Sequence, residues 1–293
     1  MKNPLFQGRT AGVQVVCMAV LLLLSRCNKE EPIPSYIHID QINLATNVSI
    51  QGSASHKILD AWIYVDDQFV GAFEMPCTVP ALYQGTHTLK IFAGIKENGI
   101  SSTRIPYPFY YLYEQTVTLT PGEILNVNPS VTYGLNAGFS WLEDFDGSEP
   151  SLCDSAVTTD TVMHNSAPSV FEGLGSGEVV LTGAVNSPYQ EISCNKYTLP
   201  KDGSPIFLEM NYNCNTRFNV GIIGYSVNNL IDFQQISLTL NPTDGAWNKV
   251  YVNLTNEVMS ATGSAKFGVF FSMLKGASVT TSYFYVDNVK LIN

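Results

Sequence analysis

Trp247-Asn248-Lys249-Val250-Tyr251-Val252-Asn253-Leu254, then Phe267-Gly268-Val269-Phe270-Phe271, then Tyr283-Phe284-Tyr285-Val286-Asp287-Asn288-Val289-Lys290-Leu291, is where the fold can be read. Val250 and Val252 alternate with Lys249, Tyr251 and Asn253, a period of two that belongs to strands and not to helices. The later runs are rich in Val, Tyr and Phe, which suit a pleated, half-buried surface. Working outward, similar runs lie at Ile236–Leu240, Phe218–Gly224, Ile206–Tyr212, Tyr189–Ser193, Glu178–Leu181 and from Phe139 to Asp146. Eight or more strands with polar loops predict a jelly roll over residues 138–293.

Upstream of Tyr133, shorter strand-like runs occur at Ile37–Leu44, Ala61–Val65, Phe69–Phe73, Thr86–Phe92, Gln115–Leu119 and Leu125–Val127. Asp66-Asp67 between Val65 and Phe69 is a hairpin signal, because Asp tolerates turn backbone angles between two β-rich runs. Six or seven short strands in about a hundred residues predict an immunoglobulin-like β-sandwich over residues 36–133. The whole is expected to be all-β. Pro106 and Pro108 disfavour a regular central strand in the aromatic run Tyr107–Tyr113, which is expected to cover the end of a sandwich or fill the domain interface.

The first residues are of a different kind. Lys2 and Arg9 precede an apolar run from Val13 to Leu24, followed by Ser25-Arg26-Cys27. A bilayer span needs roughly 18–20 apolar residues, so a run of about a dozen reads as a secretory signal covering residues 1–26. Residues 1–26 hold three of the 15 basic side chains and none of the 25 acidic ones, so the remainder is more acidic than the net −10 of the whole chain. Nucleic acid is therefore excluded as a partner, since its affinity rests on clustered Lys and Arg. Residues 27–35, with Pro32 and Pro34, read as a stiff tether.

Four cysteines remain beyond that point: Cys77, Cys153, Cys194 and Cys214. Four allow three pairings, and spacing does not choose among them. Cys194 and Cys214 fall in strand-like stretches and are expected to be buried thiols. No CxxC or Cys/His spacing suits zinc. No HExxH or Gly-x-Ser-x-Gly occurs, and His38, His56, His87 and His164 stand apart without a nucleophile, so a non-enzyme is expected. Glu143, Asp144 and Glu172 are the acids a distant alternative, glycoside hydrolysis, would use. Asn211, Asn213 and Asn215 with Arg217 form an amide-rich run suited to the hydroxyl rim of a sugar, or equally to a polar strand edge. Trp62, Trp141 and Trp247 are expected to serve in core or sheet packing.

Leu24-Ser25-Arg26-Cys27 resembles the lipobox of bacterial lipoproteins, which implies acylation of Cys27. Lys29-Glu30-Glu31 resembles the short acidic export signal of Bacteroidetes-type surface lipoproteins, and reads equally as a solvated tether. Together these imply an outer-membrane protein held by lipid, with the acyl chains as its only membrane device. The closing strands resemble those of carbohydrate-binding-module jelly rolls. That resemblance implies a glycan ligand and a structural calcium held by acids near the first and last strands, here Asp144 and Asp146 with Asp287. The alternative partner is another envelope protein, in an adhesin-like role. Asp154-Ser155-Ala156 and Asp160-Thr161-Val162 resemble the O-glycosylation acceptor of Bacteroidetes, implying glycans on Ser155 and Thr161.

Overall fold

The computed structural model describes residues 31–154, 161–166 and 169–293. The segment expected to be a signal, Cys27 and Ser155 lie outside the described residues. The chain is all-β. In the first half the elements are β1 (Ser35–Ile39), β2 (Asn43–Ala45), α1 (Val48–Gln51), β3 (Asp60–Val65), β4 (Gln68–Glu74), β5 (Cys77–Ala81), β6 (Gly85–Lys96), β7 (Arg104–Pro106), β8 (Tyr113–Leu119), β9 (Ile124–Val127) and β10 (Ser130–Thr132). The second half holds β11 (Phe139–Glu143), β12 (Leu152–Asp154), β13 (His164–Ser166), β14 (Ser176–Leu181), β15 (Pro188–Ser193), β16 (Phe207–Cys214), β17 (Phe218–Tyr225), β18 (Ile231–Leu240), β19 (Asn248–Asn253), α2 (Thr255–Ser260), β20 (Lys266–Leu274) and β21 (Ser282–Ile292).

The first sandwich sets the sheet β4-β3-β6-β7 against β5-β1-β9, with β10-β2 as a short third sheet. β8 pairs with the first half of β6 and β7 with its end, so one long strand carries both. Asp66 and Asp67 both take positive φ between β3 and β4, as a two-residue hairpin of the primed type requires. The expected run Ile37–Leu44 is two strands instead, broken at Asp40-Gln41, where β1 pairs in one sheet and β2 in another.

The second sandwich packs β13-β14-β21-β16-β19 against β12-β15-β20-β17-β18, with β11 on the free half of one edge of β21. Its core follows from the period of two. Phe267, Val269, Phe271 and Met273 of β20 face Phe284, Val286, Val289 and Leu291 of β21 across the interior. Phe218 stacks on Phe284 at 4.3 Å. Each such ring, fully removed from water, stabilises the fold by roughly 1.5–3 kcal/mol.

Sheets partition between the halves, but the hydrophobic core does not. Phe207, Tyr251 and Ile292 of the second sandwich belong to the core of the first. They meet Tyr107, which lies 5.3 Å from Phe207 and 4.9 Å from Tyr251. Tyr107, Phe109 and Tyr110 are buried here, so the first part of the aromatic run fills the interface between the sandwiches, the second of the two expected places, while Tyr111 is 47% exposed. Around them Tyr133 Oη donates to Glu209 at 2.9 Å, Lys249 Nζ lies 3.3 Å from Glu209, and Lys290 Nζ donates to Tyr133 Oη at 3.2 Å. Burial pushes Lys290 down to about 8. Bonds to the backbone also cross: Asn98 N donates to Tyr251 O at 2.9 Å, and Asn253 N donates to the Asn98 side chain at Oδ1, 2.8 Å away.

One cysteine expectation is corrected. Cys194 is not a buried thiol: it is bonded to Cys153, with Cα atoms 5.0 Å apart, because β12 pairs with the end of β15. β12 is three residues long, too short to show its pairing in the sequence. Cys214 is a buried free thiol, and Cys77 is free and partly exposed.

Candidate functional site

The two faces of the jelly roll differ in what covers them. On the outer face of β12-β15-β20-β17-β18, Ile192, Ile223, Tyr225 and Phe270 form a small cluster of their own. It is covered by the chain's own side chains: Gln234 Nε2 donates to Gln190 Oε1 at 3.3 Å, and Lys196 Nζ sits 3.9 Å above the Tyr225 ring. On the opposite sheet, the half nearest the first sandwich is covered by it, through Phe207, Glu209, Lys249, Tyr251 and Lys290. The far half of that sheet carries the candidate site.

Register sets the geometry there. His164 of β13 pairs with Glu178 of β14, Glu178 with Tyr285 of β21, and Tyr285 with Asn213 of β16. Trp247 immediately precedes β19, whose Asn248 pairs with Tyr212, so it continues the row. These five residues point outward: Met163, Val179, Phe284, Val286, Tyr212 and Cys214, chain neighbours of the first four, are in the core, and Trp247 precedes β19 out of phase with its core residues Val250 and Val252. Trp247 lies 6.4 Å from Tyr285 and 5.6 Å from Phe171, and Tyr283 lies 5.3 Å from Tyr285. Phe171 is 40% exposed, and Trp247, Tyr283 and Tyr285 are half-buried. Partial burial, then the hydrogen bond to Glu178, pushes Tyr285 up to about 12, so its hydroxyl stays protonated. One row thus alternates imidazole, carboxylate, phenol, amide and indole.

The amides expected to form a sugar rim are mostly committed elsewhere. Asn211 is 2% exposed and accepts from Ser55 Oγ at 2.9 Å, so it belongs to the domain interface. Asn213 donates to Gly245 O and accepts from Thr243 Oγ1, both at 3.0 Å. Asn215 donates to Thr281 O at 2.9 Å and accepts from Tyr283 N at 2.8 Å, while Arg217 Nε donates to Asn241 at 3.0 Å. The loops before β19 and β21 bend over these side chains and use their hydrogen-bonding capacity. Trp247 was expected to pack and does so, but on the outer face; Trp141, 4% exposed, is core. The sequence reading missed His164, Glu178, Phe171, Tyr283 and Tyr285 as a group.

The acids marked for calcium are only partly brought together. Asp287 is 0% exposed and accepts from Glu172 N at 3.1 Å and Asn288 N at 2.7 Å. Burial pushes its carboxyl up to about 7, the charge of Asp146 adds to the rise, and the backbone donors oppose it. Asp146 accepts from Leu174 N and Gly175 N, at the other end of the loop that begins beside Asp287. Asp144 does not join them: it is exposed and accepts from Asp146 N at 3.2 Å. Among the described residues no three Asp, Glu, His or Cys side chains converge as a metal group. Calcium takes six to eight oxygens, and Asp146 and Asp287 are two carboxylates whose oxygens already accept from backbone N–H groups. Glu143, considered as a hydrolytic acid, is held by Phe145 N at 2.9 Å and Ser151 N at 2.7 Å, and Glu172 by Ser53 Oγ and Asn288 Nδ2. Thr161, marked for a glycan, is partly buried just ahead of β13.

No protein-family model matches the chain, and no curated protein matches it. It is similar to a solved structure of carbohydrate-binding modules of the beta-sandwich superfamily, at 12% identity and a TM-score of 0.39, over 80% of this chain and 85% of that one. It is also similar to the CBM22-1 xylan-binding domain of Paenibacillus barcinonensis Xyn10C, at 9% identity and a TM-score of 0.40, over 54% of this chain and 96% of that one. A third is the C-terminal family 22 carbohydrate-binding module of Clostridium thermocellum Xyn10B, at 13% identity and a TM-score of 0.36, over 54% and 95%. At such scores the likeness says nothing about ligand, and what the protein binds has to be read from its own side chains.

Proposed function

We propose that this chain is a non-catalytic, lipid-anchored protein of a bacterial outer membrane that binds a polysaccharide or glycoconjugate through its jelly roll. The observation that carries the reading is the outward set His164, Glu178, Tyr285 and Trp247, flanked by Phe171 and Tyr283, with the buried Asn213 between Tyr285 and Trp247 taken up by the loop before β19. A pyranose offers an apolar C–H face and a rim of hydroxyls. Half-exposed aromatic rings match the first, and carboxylate, phenol and imidazole between them match the second. Calcium at Asp146 and Asp287 would neutralise the buried carboxylate and brace the loop that carries Phe171.

The anchor is read from Cys27 and the apolar run before it. A Cys27→Ser protein is expected in the soluble fraction without acyl mass; retention in the membrane fraction would remove the anchor from the proposal. A protein-contact role is favoured by one observation: the β17–β18 hairpin leaves Val227 82%, Leu230 68% and Ile231 45% exposed. A glycan array spanning plant, host and microbial polysaccharides separates the two. Binding to a defined glycan class supports the proposal, and no binding across the array supports the protein-contact role.

A further inference from the structure

The first sandwich has an aromatic surface that its own core does not use. Trp62 and Tyr64 of β3 alternate with Ala61, Ile63 and Val65, which are buried in the core, so the two rings project from the outer face of β4-β3-β6. Phe69 of β4 pairs with Tyr64, and Phe92 of β6 pairs with Trp62. The rings form a continuous strip: Trp62 to Phe69 is 5.7 Å between centroids, Phe69 to Tyr64 5.0 Å, and Tyr64 to Phe92 5.4 Å. Phe69 is 53% exposed, and the other three are half-buried. Trp62 lies so close over β6 that a Cβ at Gly94 would stand 2.9 Å from its Cδ1 and Nε1. Glycine at position 94 is what lets the indole lie there.

The rim of the strip is charged but internally paired. Arg104 bridges Asp60 and Glu74, Lys96 lies 3.9 Å from Glu74, and Lys90 lies 2.6 Å from Asp67 and 3.7 Å from Glu114. A charged partner would have to break these pairs to gain its own, whereas an uncharged one leaves them intact. Ala72, exposed opposite Trp62, adds only a methyl group to the strip, so the contact surface is nearly all aromatic ring. Rings at sheet spacing suit flat, apolar faces with polar edges.

We infer that the outer face of β4-β3-β6 is a second binding surface, where Trp62, Phe69, Tyr64 and Phe92 stack against the apolar faces of a neutral polysaccharide. It is independent of the jelly-roll site and stands or falls separately. Because the sandwiches share a core, the two surfaces lie on halves that pack directly against each other.

The test is retention of the full chain on insoluble cellulose, xylan, chitin and starch, with Phe69→Ala, Trp62→Ala and Trp247→Ala measured beside wild type. Phe69 is exposed enough that its variant keeps the fold, which a matching thermal melt verifies. Wild type is expected to be retained on at least one of these neutral matrices. Phe69→Ala and Trp62→Ala are each expected to weaken retention about tenfold, including in the Trp247→Ala background. Retention equal to wild type in both variants would overturn this second surface while leaving the jelly-roll site standing, and retention of wild type on none of the four would also overturn it. Self-association in sedimentation that Phe69→Ala abolishes, without glycan retention, would overturn it in favour of a protein contact.

Discussion

Tyr133 and Glu209 lie in different sandwiches, 76 positions apart, and the phenol of one donates to the carboxylate of the other at 2.9 Å. Glu209 is 0% exposed and faces Lys249 at 3.3 Å, with Lys290 joined to the same phenol at 3.2 Å. One carboxylate thus holds two buried lysines at the seam. Replacing it by Glu209→Gln removes the strongest counter-charge of both lysines and leaves them the weaker influence of Glu172 and, for Lys249, Asp287, a loss of about 3–5 kcal/mol. Urea unfolding is expected to show one transition for the wild type, shifted to lower denaturant in the variant. Two resolved transitions in the wild type would mean that the sandwiches unfold independently, and a variant as stable as wild type would mean that the Glu209 carboxylate does not stabilise the seam.

The Cys153–Cys194 bond joins positions 41 apart, and its removal by Cys153→Ser is expected to cost about 2–4 kcal/mol. Peptide mapping without reductant should recover that pair. Under native conditions maleimide should label Cys77 and leave Cys214, which is 0% exposed, until unfolding. Labelling of Cys153 or Cys194 in unreduced protein would contradict the pairing.

His87 and Asp66 hold the end of the β3–β4 hairpin against β6 at 2.6 Å. The Asp66 hydrogen bond, then one to the Gln84 carbonyl, raises the His87 pKa, and the same bond to His87 lowers that of Asp66. The raised histidine contributes stability that is complete below its unfolded pKa of about 6.5 and disappears as pH climbs through the folded value. The lowered aspartate contributes above about 3.9, and its share is lost as pH falls through its folded value. An NMR titration of His87 is expected to show a higher midpoint in wild type than in Asp66→Asn. Equal midpoints would refute the coupling.

Much of the fold was legible because long strands advertise themselves. β3, β4, β6, β17, β19, β20 and β21 carry enough alternation to be placed within a few residues. β7, β10, β12 and β13 have three residues each, one alternation at most, and β5 and β7 contain a proline. The candidate site was visible only in parts. Asn213 and Trp247 stand out singly, but the row that joins them to Tyr285, Glu178 and His164 depends on pairing between strands distant in sequence. Trp62 and Tyr64 alternate cleanly with Ala61, Ile63 and Val65, yet with both faces apolar the pattern does not say which face is buried.

Calcium is expected to raise the melting temperature over that in EDTA, by relieving the burial cost that lifts Asp287 to about 7. Asp287→Asn should abolish the difference. Identical melts of wild type with calcium and with EDTA would exclude calcium from the fold's stability.

The most direct measurement is a binding titration of the full chain with the polysaccharide that gives the strongest array signal, comparing wild type with Trp247→Ala and Tyr285→Ala. Each variant should bind about tenfold more weakly, since each loses one stacking surface of the outward row, with its melting temperature unchanged. Wild type that binds no polysaccharide, or variants that bind as tightly as wild type, would contradict a glycan site on this face of the jelly roll.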